Sequence, residues 1–140
     1  MIELYTHNTP SGHKISIVLE ELGLPYVVKR VNTFVGEQFS PEFLALNPNA
    51  KIPVIVDTEM GQTVYESNAI FLYLAEKTGR LMPTDLNGRY EALELLFLHA
   101  ASVGPMFGQR EFYAYFSSEE SAVRPRSVQQ RSGPSRSCHG

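Results

Sequence analysis

The 140-residue chain carries a net charge of −3 and is 43% hydrophobic, with a mean hydropathy of −0.16, which fits a single soluble domain. No stretch approaches the roughly 20 apolar residues of a membrane-spanning helix, the start lacks the basic segment of a secretory signal, and the single cysteine, Cys138, excludes an intramolecular disulfide and a cysteine-built metal site. The body up to Phe116 is mildly acidic, which argues against a nucleic-acid partner because phosphate binding draws on clustered Lys and Arg; a cytoplasmic protein is expected.

In chain order, Met1 to Thr6 reads as a strand with Ile2 and Leu4 on one face. After a polar loop, Ile15, Val18, Leu19 and Leu22 recur at helical spacing. Gly23 stands where a C′ glycine ends a helix, with Pro25 just beyond. Tyr26 to Val31 is β-branched and reads as a second strand. A helix between two strands implies that the strands are parallel. Asn32 to Phe39 reads as loop, and Ser40-Pro41 opens a short helix to Leu46 that Asn47-Pro48-Asn49 stops. Ile52 to Asp57 is a continuous apolar run ending in an acid, the pattern of a buried strand. Met60-Gly61 is a turn and Thr63 to Tyr65 a further strand. Ser67 is positioned to cap the next helix, which carries Ile70, Phe71, Leu74 and Ala75.

Leu81 to Leu86 reads as a linker. A second helical pattern starts at Asn87, with Leu93, Leu96, Phe97, Ala100 and Val103 on one side. Gly104-Pro105 is expected to break or kink it, and Met106 to Phe116 reads as loop or short helix. From Ser117 the chain is serine-rich and basic, and is expected to be solvated, disordered tail.

Three places carry candidate chemistry. Thr9-Pro10-Ser11-Gly12-His13-Lys14 joins a strand end to a helix start, where free N–H groups and the helix dipole favour an anion. Thr9 and Ser11 can donate hydroxyl hydrogen bonds into the same space; the plainer reading is that Ser11 caps the helix and Pro10 shapes the turn. Ile52-Pro53, if cis, turns backbone N–H and C=O groups outward to pair with an extended peptide. Glu66-Ser67 lies at another strand-to-helix junction, where Ser67 suits a carboxylate and Glu66 an ammonium, the complement of an α-amino acid; the plainer reading is an ordinary N-cap. One arrangement brings such junctions to one face: the thioredoxin-like β-α-β…β-β-α layer with a cis-proline before its third strand.

Asn47-Pro48-Asn49-Ala50-Lys51-Ile52-Pro53-Val54-Ile55-Val56-Asp57 and Tyr65-Glu66-Ser67-Asn68-Ala69-Ile70-Phe71-Leu72-Tyr73-Leu74 resemble the signatures of glutathione transferases. The Thr9 to Lys14 turn, Gly36-Glu37-Gln38-Phe39 and Gly104-Pro105-Met106-Phe107-Gly108-Gln109 resemble the nu-class bacterial enzymes, known for glutathione-disulfide reductase activity. The likeness runs from Met1 to about Phe116. It implies an α/β thioredoxin-like domain over 1–80, an incomplete all-α domain over 87–116, and the tail over 117–140. By resemblance, Glu66 and Ser67 hold the γ-glutamyl group, the Ile52 backbone before Pro53 pairs with the cysteinyl moiety, Gln38 and Lys51 join the glutathione site, and Thr9 and Ser11 lie near the sulfur as catalytic residues. The family usually has Asn where this chain has Ser11, a donor of shorter reach.

Glutathione is then the co-substrate, no metal is implied, and the other substrate is a small electrophile or disulfide. The family forms homodimers, and Met60, Tyr73 and the Tyr90–Leu98 helix are expected to supply that surface. Fewer helices than the family carries would leave apolar surface exposed and the electrophile pocket incomplete; a non-catalytic protein that only binds glutathione or a partner is the alternative. Tyr5 is expected in the strand core, His13 and Lys14 facing solvent with Lys14 able to support glutathione electrostatically, His99 packed beside an apolar face, and Cys138 outside any site.

Overall fold

The computed structural model describes residues 1–111 and Tyr113. Residues Met1–Leu93 form one compact unit and the described residues from Glu94 onward belong to another. The tail expected over 117–140 and the end of the helical segment to Phe116 lie outside the described residues.

The first unit is built on a four-stranded sheet in the order β2-β1-β3-β4. Its strands are β1 (Ile2–Thr6), β2 (Tyr26–Arg30), β3 (Val54–Asp57) and β4 (Gln62–Tyr65). β1 and β2 are parallel, as the intervening helix requires. β3 is antiparallel to β1, with Tyr5 opposite Val54, and β4 is antiparallel to β3, with Val54 opposite Tyr65. This is a thioredoxin-like mixed sheet. β3 starts at Val54 rather than Ile52 because the Ile52–Pro53 bond is cis and the proline has no N–H for the ladder.

Strand alternation divides the apolar residues between two faces. Ile2, Leu4 and Ile55 meet Ile15, Leu19 and Leu22 of α1 (Pro10–Leu22) and Ile70 and Leu74 of α3 (Ser67–Thr78). Each such fully buried aliphatic side chain contributes about 1.5–3 kcal/mol relative to exposure. On the other face Val54 and Val31 pack against Phe43 of α2 (Pro41–Leu46), with Tyr5, Leu46 and Ile52 around them. The α1 helix ends at Gly23 with φ 68°, where Gly23 N–H donates to Glu20 O and Leu24 N–H to Leu19 O, the left-handed stop that only glycine adopts without cost. Tyr5 sits in the core as expected, and its hydroxyl donates to Glu3. Burial, and next the Glu3 carboxylate, push its phenol pKa upward.

β3 ends on a buried acid. Asp57 is 0% exposed. Its Oδ2 accepts from the Tyr73 hydroxyl and the Lys77 ammonium, each at 2.7 Å, and its Oδ1 from the N–H groups of Glu59 and Met60. Burial alone would raise its pKa. The bonds from Lys77, Tyr73 and the two N–H groups outweigh it and lower the carboxyl to about 2. Tyr73, expected on a dimer surface, therefore spends its hydroxyl inside the unit.

After Asp85, whose side chain accepts from Gly88 N–H, α4 runs Leu86–Leu98 with no buried residue. The Gly104-Pro105 pair is expected to break or kink the helix, and the regular α-helix is interrupted just before it. The chain passes through a π-turn, His99–Val103, into α5, Gly104–Glu111. Gly104 N–H donates to His99 O, five residues back, and this wider winding accommodates a proline that offers no N–H. A Cβ on Gly104 would lie 3.1 Å from His99 O and 3.2 Å from the His99 ring, so His99 packs against this turn. Among the described residues, no helix is long and apolar enough to cross a membrane.

Candidate functional site

The sheet directions bring three junctions to one end. β1 leaves the sheet at Thr6, β4 leaves it at Tyr65, and β3 enters at Val54, all within one rung of one another. Continued by one residue, the register sets Pro53 between Thr6 and Glu66. Parallel β2 leaves at that end as well, with Arg30 opposite Thr6, and leads into the segment holding Gln38. The Thr9–Lys14 turn, Ile52-Pro53 and Glu66-Ser67 thus gather at one edge of the layer.

The first junction differs in detail from the sequence reading. Thr9, not Ser11, caps α1: it has extended φ and ψ, and its Oγ1 accepts from Gly12 N–H at 3.3 Å. Pro10 and Ser11 lie in the first helical turn. A hydroxyl that accepts a cap bond keeps its own O–H to donate, so Thr9 remains available to a ligand. Gly12 is buried against the strand end. A Cβ there would collide with Thr6 Oγ1 and lie 2.7 Å from His7 O, so only glycine lets α1 begin this close to β1.

At the second junction Asn47 is the clamp. It is 1% exposed; its Nδ2 donates to Lys51 O at 2.7 Å and its Oδ1 accepts from Asn49 N–H at 3.0 Å. Ala50 takes φ 54° within this loop. The clamp sets the backbone that leads to Ile52 and the buried Pro53. The Lys51 side chain is exposed. Gln38, in a 3-10 turn over Glu37–Phe39, has a buried Oε1 with no hydrogen-bond partner among the described residues.

The third junction corrects the expected cap. Glu66, not Ser67, occupies the N-cap position of α3, with φ 68° and ψ 116° and no side-chain cap bond. A non-glycine residue held at such φ and ψ costs on the order of 1–3 kcal/mol, and such strain clusters at ligand clamps. Ser67 is already helical. Its Oγ instead accepts from Lys14 Nζ at 3.0 Å. Lys14 is therefore not solvent-facing: it is half-buried and crosses from α1 to α3. Burial lowers its pKa, and the Glu66 carboxylate partly offsets that. His13 does face solvent, bonded to Asn8.

The sequence named Lys14 and Glu66 as site residues but not the contact of Lys14 with Ser67, the clamp made by Asn47 or the positive φ of Glu66. Lys14 lies one helical turn before Val18 on α1, so a view of the core face could have pointed it toward α3; nothing local marks the positive φ of Glu66. Among the described residues, no group of three or more His, Cys, Asp or Glu is placed to hold a metal ion. The assembled edge offers two helix N-termini, hydroxyl donors, a carboxylate and an ammonium, the equipment for a zwitterionic peptide with one group to be held as an anion.

Residues 9–77 match the family model described as glutathione S-transferase, N-terminal domain. The disulfide-bond oxidoreductase YfcG of Escherichia coli (strain K12) is 45% identical over 118 residues, 81% of this chain and 55% of that protein. Protein URE2 of Candida glabrata is 38% identical over 130 residues, 86% of this chain and 37% of that protein. A solved glutathione transferase family member from Pseudomonas fluorescens, with two glutathione bound, superposes with a TM-score of 0.80 at 41% identity, over 93% of this chain and 58% of that one. Ure2p in complex with glutathione superposes with a TM-score of 0.79 at 33% identity, over 93% of this chain and 60% of that one. The chain spans about half the length of the curated relatives it matches.

Proposed function

The chain belongs to the glutathione S-transferase family, and on that premise we propose that it binds glutathione at the sheet edge and activates the ligand's thiol for attack on a disulfide or an electrophilic carbon. The observation that carries this reading is the convergence of the Thr9, Ile52-Pro53 and Glu66-Ser67 junctions at one end of the sheet. In it, Ser67 and the start of α3 take the γ-glutamyl carboxylate and Glu66 the ammonium. The Ile52 backbone pairs with the cysteinyl moiety. The partnerless Oε1 of Gln38 accepts an N–H of the peptide, and Lys51 lies alongside.

Thr9 and Ser11, with the N–H groups of the first turn of α1, then stabilise the sulfur as a thiolate. Donors at a helix N-terminus lower a thiol pKa from about 8.5 toward neutrality. The thiolate attacks one sulfur of a disulfide, forms a mixed disulfide and expels the other sulfur as thiolate, which takes a proton from water. The nucleophile is the ligand's own sulfur, since the one cysteine of the chain is Cys138. Residues 1–80 act as the glutathione-binding layer and 87–116 as the opening of a helical domain. The same reading makes the protein a cytoplasmic homodimer without nucleic-acid or membrane partners.

A second reading, binding without turnover, is favoured by α4, which buries none of its side chains and so offers no finished wall for a second substrate. Calorimetric titration with reduced glutathione tests the common part: wild type binds, and Ser67→Ala loses about tenfold or more, the scale of a hydrogen bond to a charged group. A folded protein that takes up no glutathione overturns the proposal. Turnover of a small mixed glutathione disulfide, lowered about tenfold or more by Thr9→Ala as expected for loss of an oxyanion-type donor, selects the catalytic reading; binding with no turnover selects the other.

A further inference from the structure

The bond between Lys14 and Ser67 fixes where a proton points. An ammonium group has donors only, so Ser67 Oγ must be the acceptor of the 3.0 Å bond. A hydroxyl has one proton, and here it is directed away from the lysine. A cap bond would use only the oxygen of Ser67 and not its proton, and the cap position in any case belongs to Glu66, which makes no side-chain cap bond. Ser67 thus keeps its O–H to donate, at the first residue of a 12-residue helix whose positive end lies at the same place. Lys14 adds a half-buried positive charge behind it, where partial desolvation strengthens the interaction relative to water.

We propose that Lys14 is a positioning residue for the γ-glutamyl end of glutathione: by donating to Ser67 Oγ it holds that hydroxyl as the donor to the ligand's α-carboxylate. This rests on the reading of Glu66-Ser67 as the γ-glutamyl site. Lys14 acts through Ser67 and through its charge, not on the sulfur. Its contribution therefore depends on the carboxylate being present and on the Ser67 hydroxyl being there to orient. The arrangement selects ligands with a free α-carboxylate beside the ammonium that Glu66 receives, and discriminates against peptides lacking it.

The test is the dissociation constant of two ligands, glutathione and the analogue with 4-aminobutyrate in place of γ-glutamate, which lacks only that carboxylate. Proteins compared are wild type, Lys14→Met, Lys14→Arg, Ser67→Ala and the Lys14→Met/Ser67→Ala double variant, each checked for folding by thermal unfolding. Lys14→Met should weaken glutathione about tenfold, the scale of a charge-assisted hydrogen bond, and the analogue less than about twofold. Lys14→Arg should recover most of the loss. On the Ser67→Ala background, Lys14→Met should cost well under its single-variant loss, the mark of coupled residues. If the protein turns over, KM for glutathione should rise while kcat stays within about twofold. Should Lys14→Met not fold, Lys14→Gln, which keeps a donor without the charge, is read against the same two ligands with the same expectation. Unchanged glutathione affinity in folded Lys14→Met, or equal losses for both ligands, overturns the role of Lys14 and leaves the site standing. Wild type that binds neither ligand overturns the site reading itself.

Discussion

Gly12 shows how one residue sets the geometry of the candidate site. The cap at Thr9 and the first turn of α1 reach the strand end only because no Cβ separates Gly12 from Thr6 and from His7 O. In Gly12→Ala the Thr6 side chain can turn aside, but the His7 carbonyl is backbone, and α1 must move away from β1. Such overpacking costs about 1–3 kcal/mol, which lowers the midpoint of thermal unfolding by several degrees or more, and glutathione affinity should fall with it. Unchanged midpoint and affinity would show that the close approach is dispensable. At this scale the sequence was partly legible. Pro10 marked a helix start, and Thr9, Ser11 and Gly12 fell within one turn of it, but two hydroxyls compete for the cap. Which of them wins depends on backbone angles set by the packing of Gly12, and that is a tertiary contact. Glu66 poses the same difficulty more sharply, because a glutamate at φ 68° is held there by the strand and helix it joins and not by any preference of its own.

Elements are tied together by polar contacts that the apolar pattern does not reveal. The spacing of Ile15, Leu19 and Leu22 and of Ile70 and Leu74 gave both core helices, and the β1-α1-β2 order gave a parallel pair. The acid ending the third strand was visible, but its partners were not: Tyr73 and Lys77 are four residues apart, hence on one helix face, and they meet Asp57 only once α3 lies on the sheet. The consequence is a pH dependence with a definite sign. The Asp57 pKa is lowered from 3.8 to about 2 in the folded state, so between these values the folded protein holds fewer protons than the unfolded chain. The stabilisation is complete above about pH 4 and is lost as pH falls toward 2. Urea unfolding followed from pH 5 to pH 2 should show stability falling across that window in wild type, and Asp57→Asn should be less stable at pH 5 with a flatter profile below it. A variant whose acid profile matches wild type would assign the loss to other carboxylates.

For the whole molecule, the distribution of apolar side chains differs between its parts. Residues Met1–Leu93 close over two buried clusters. α4 joins neither cluster: along it Leu86, Tyr90 and Phe97 repeat at i, i+4 and i+11, a single stripe, and are 70%, 59% and 69% exposed. Beyond it, Met106 and Phe107 of α5 are 68% and 63% exposed. Helical periodicity puts Leu93, Leu96, Phe97, Ala100 and Val103 on one side in the sequence; of these only Phe97 belongs to this stripe, while Leu86 reads as linker and Tyr90 as dimer surface. On the homodimer reading proposed above, these exposed apolar side chains are where a second copy of the chain would seat. Sedimentation velocity at micromolar concentration should therefore give a species of twice the chain mass, and Phe97→Glu, which puts a charge into the stripe, should shift it toward the monomer. Because Thr9, Ile52 and Ser67 all lie in the first unit, whose core Phe97 does not join, the same variant should bind glutathione with unchanged affinity. A wild-type chain that sediments as a monomer throughout would remove the homodimer from the proposal and leave the glutathione site intact.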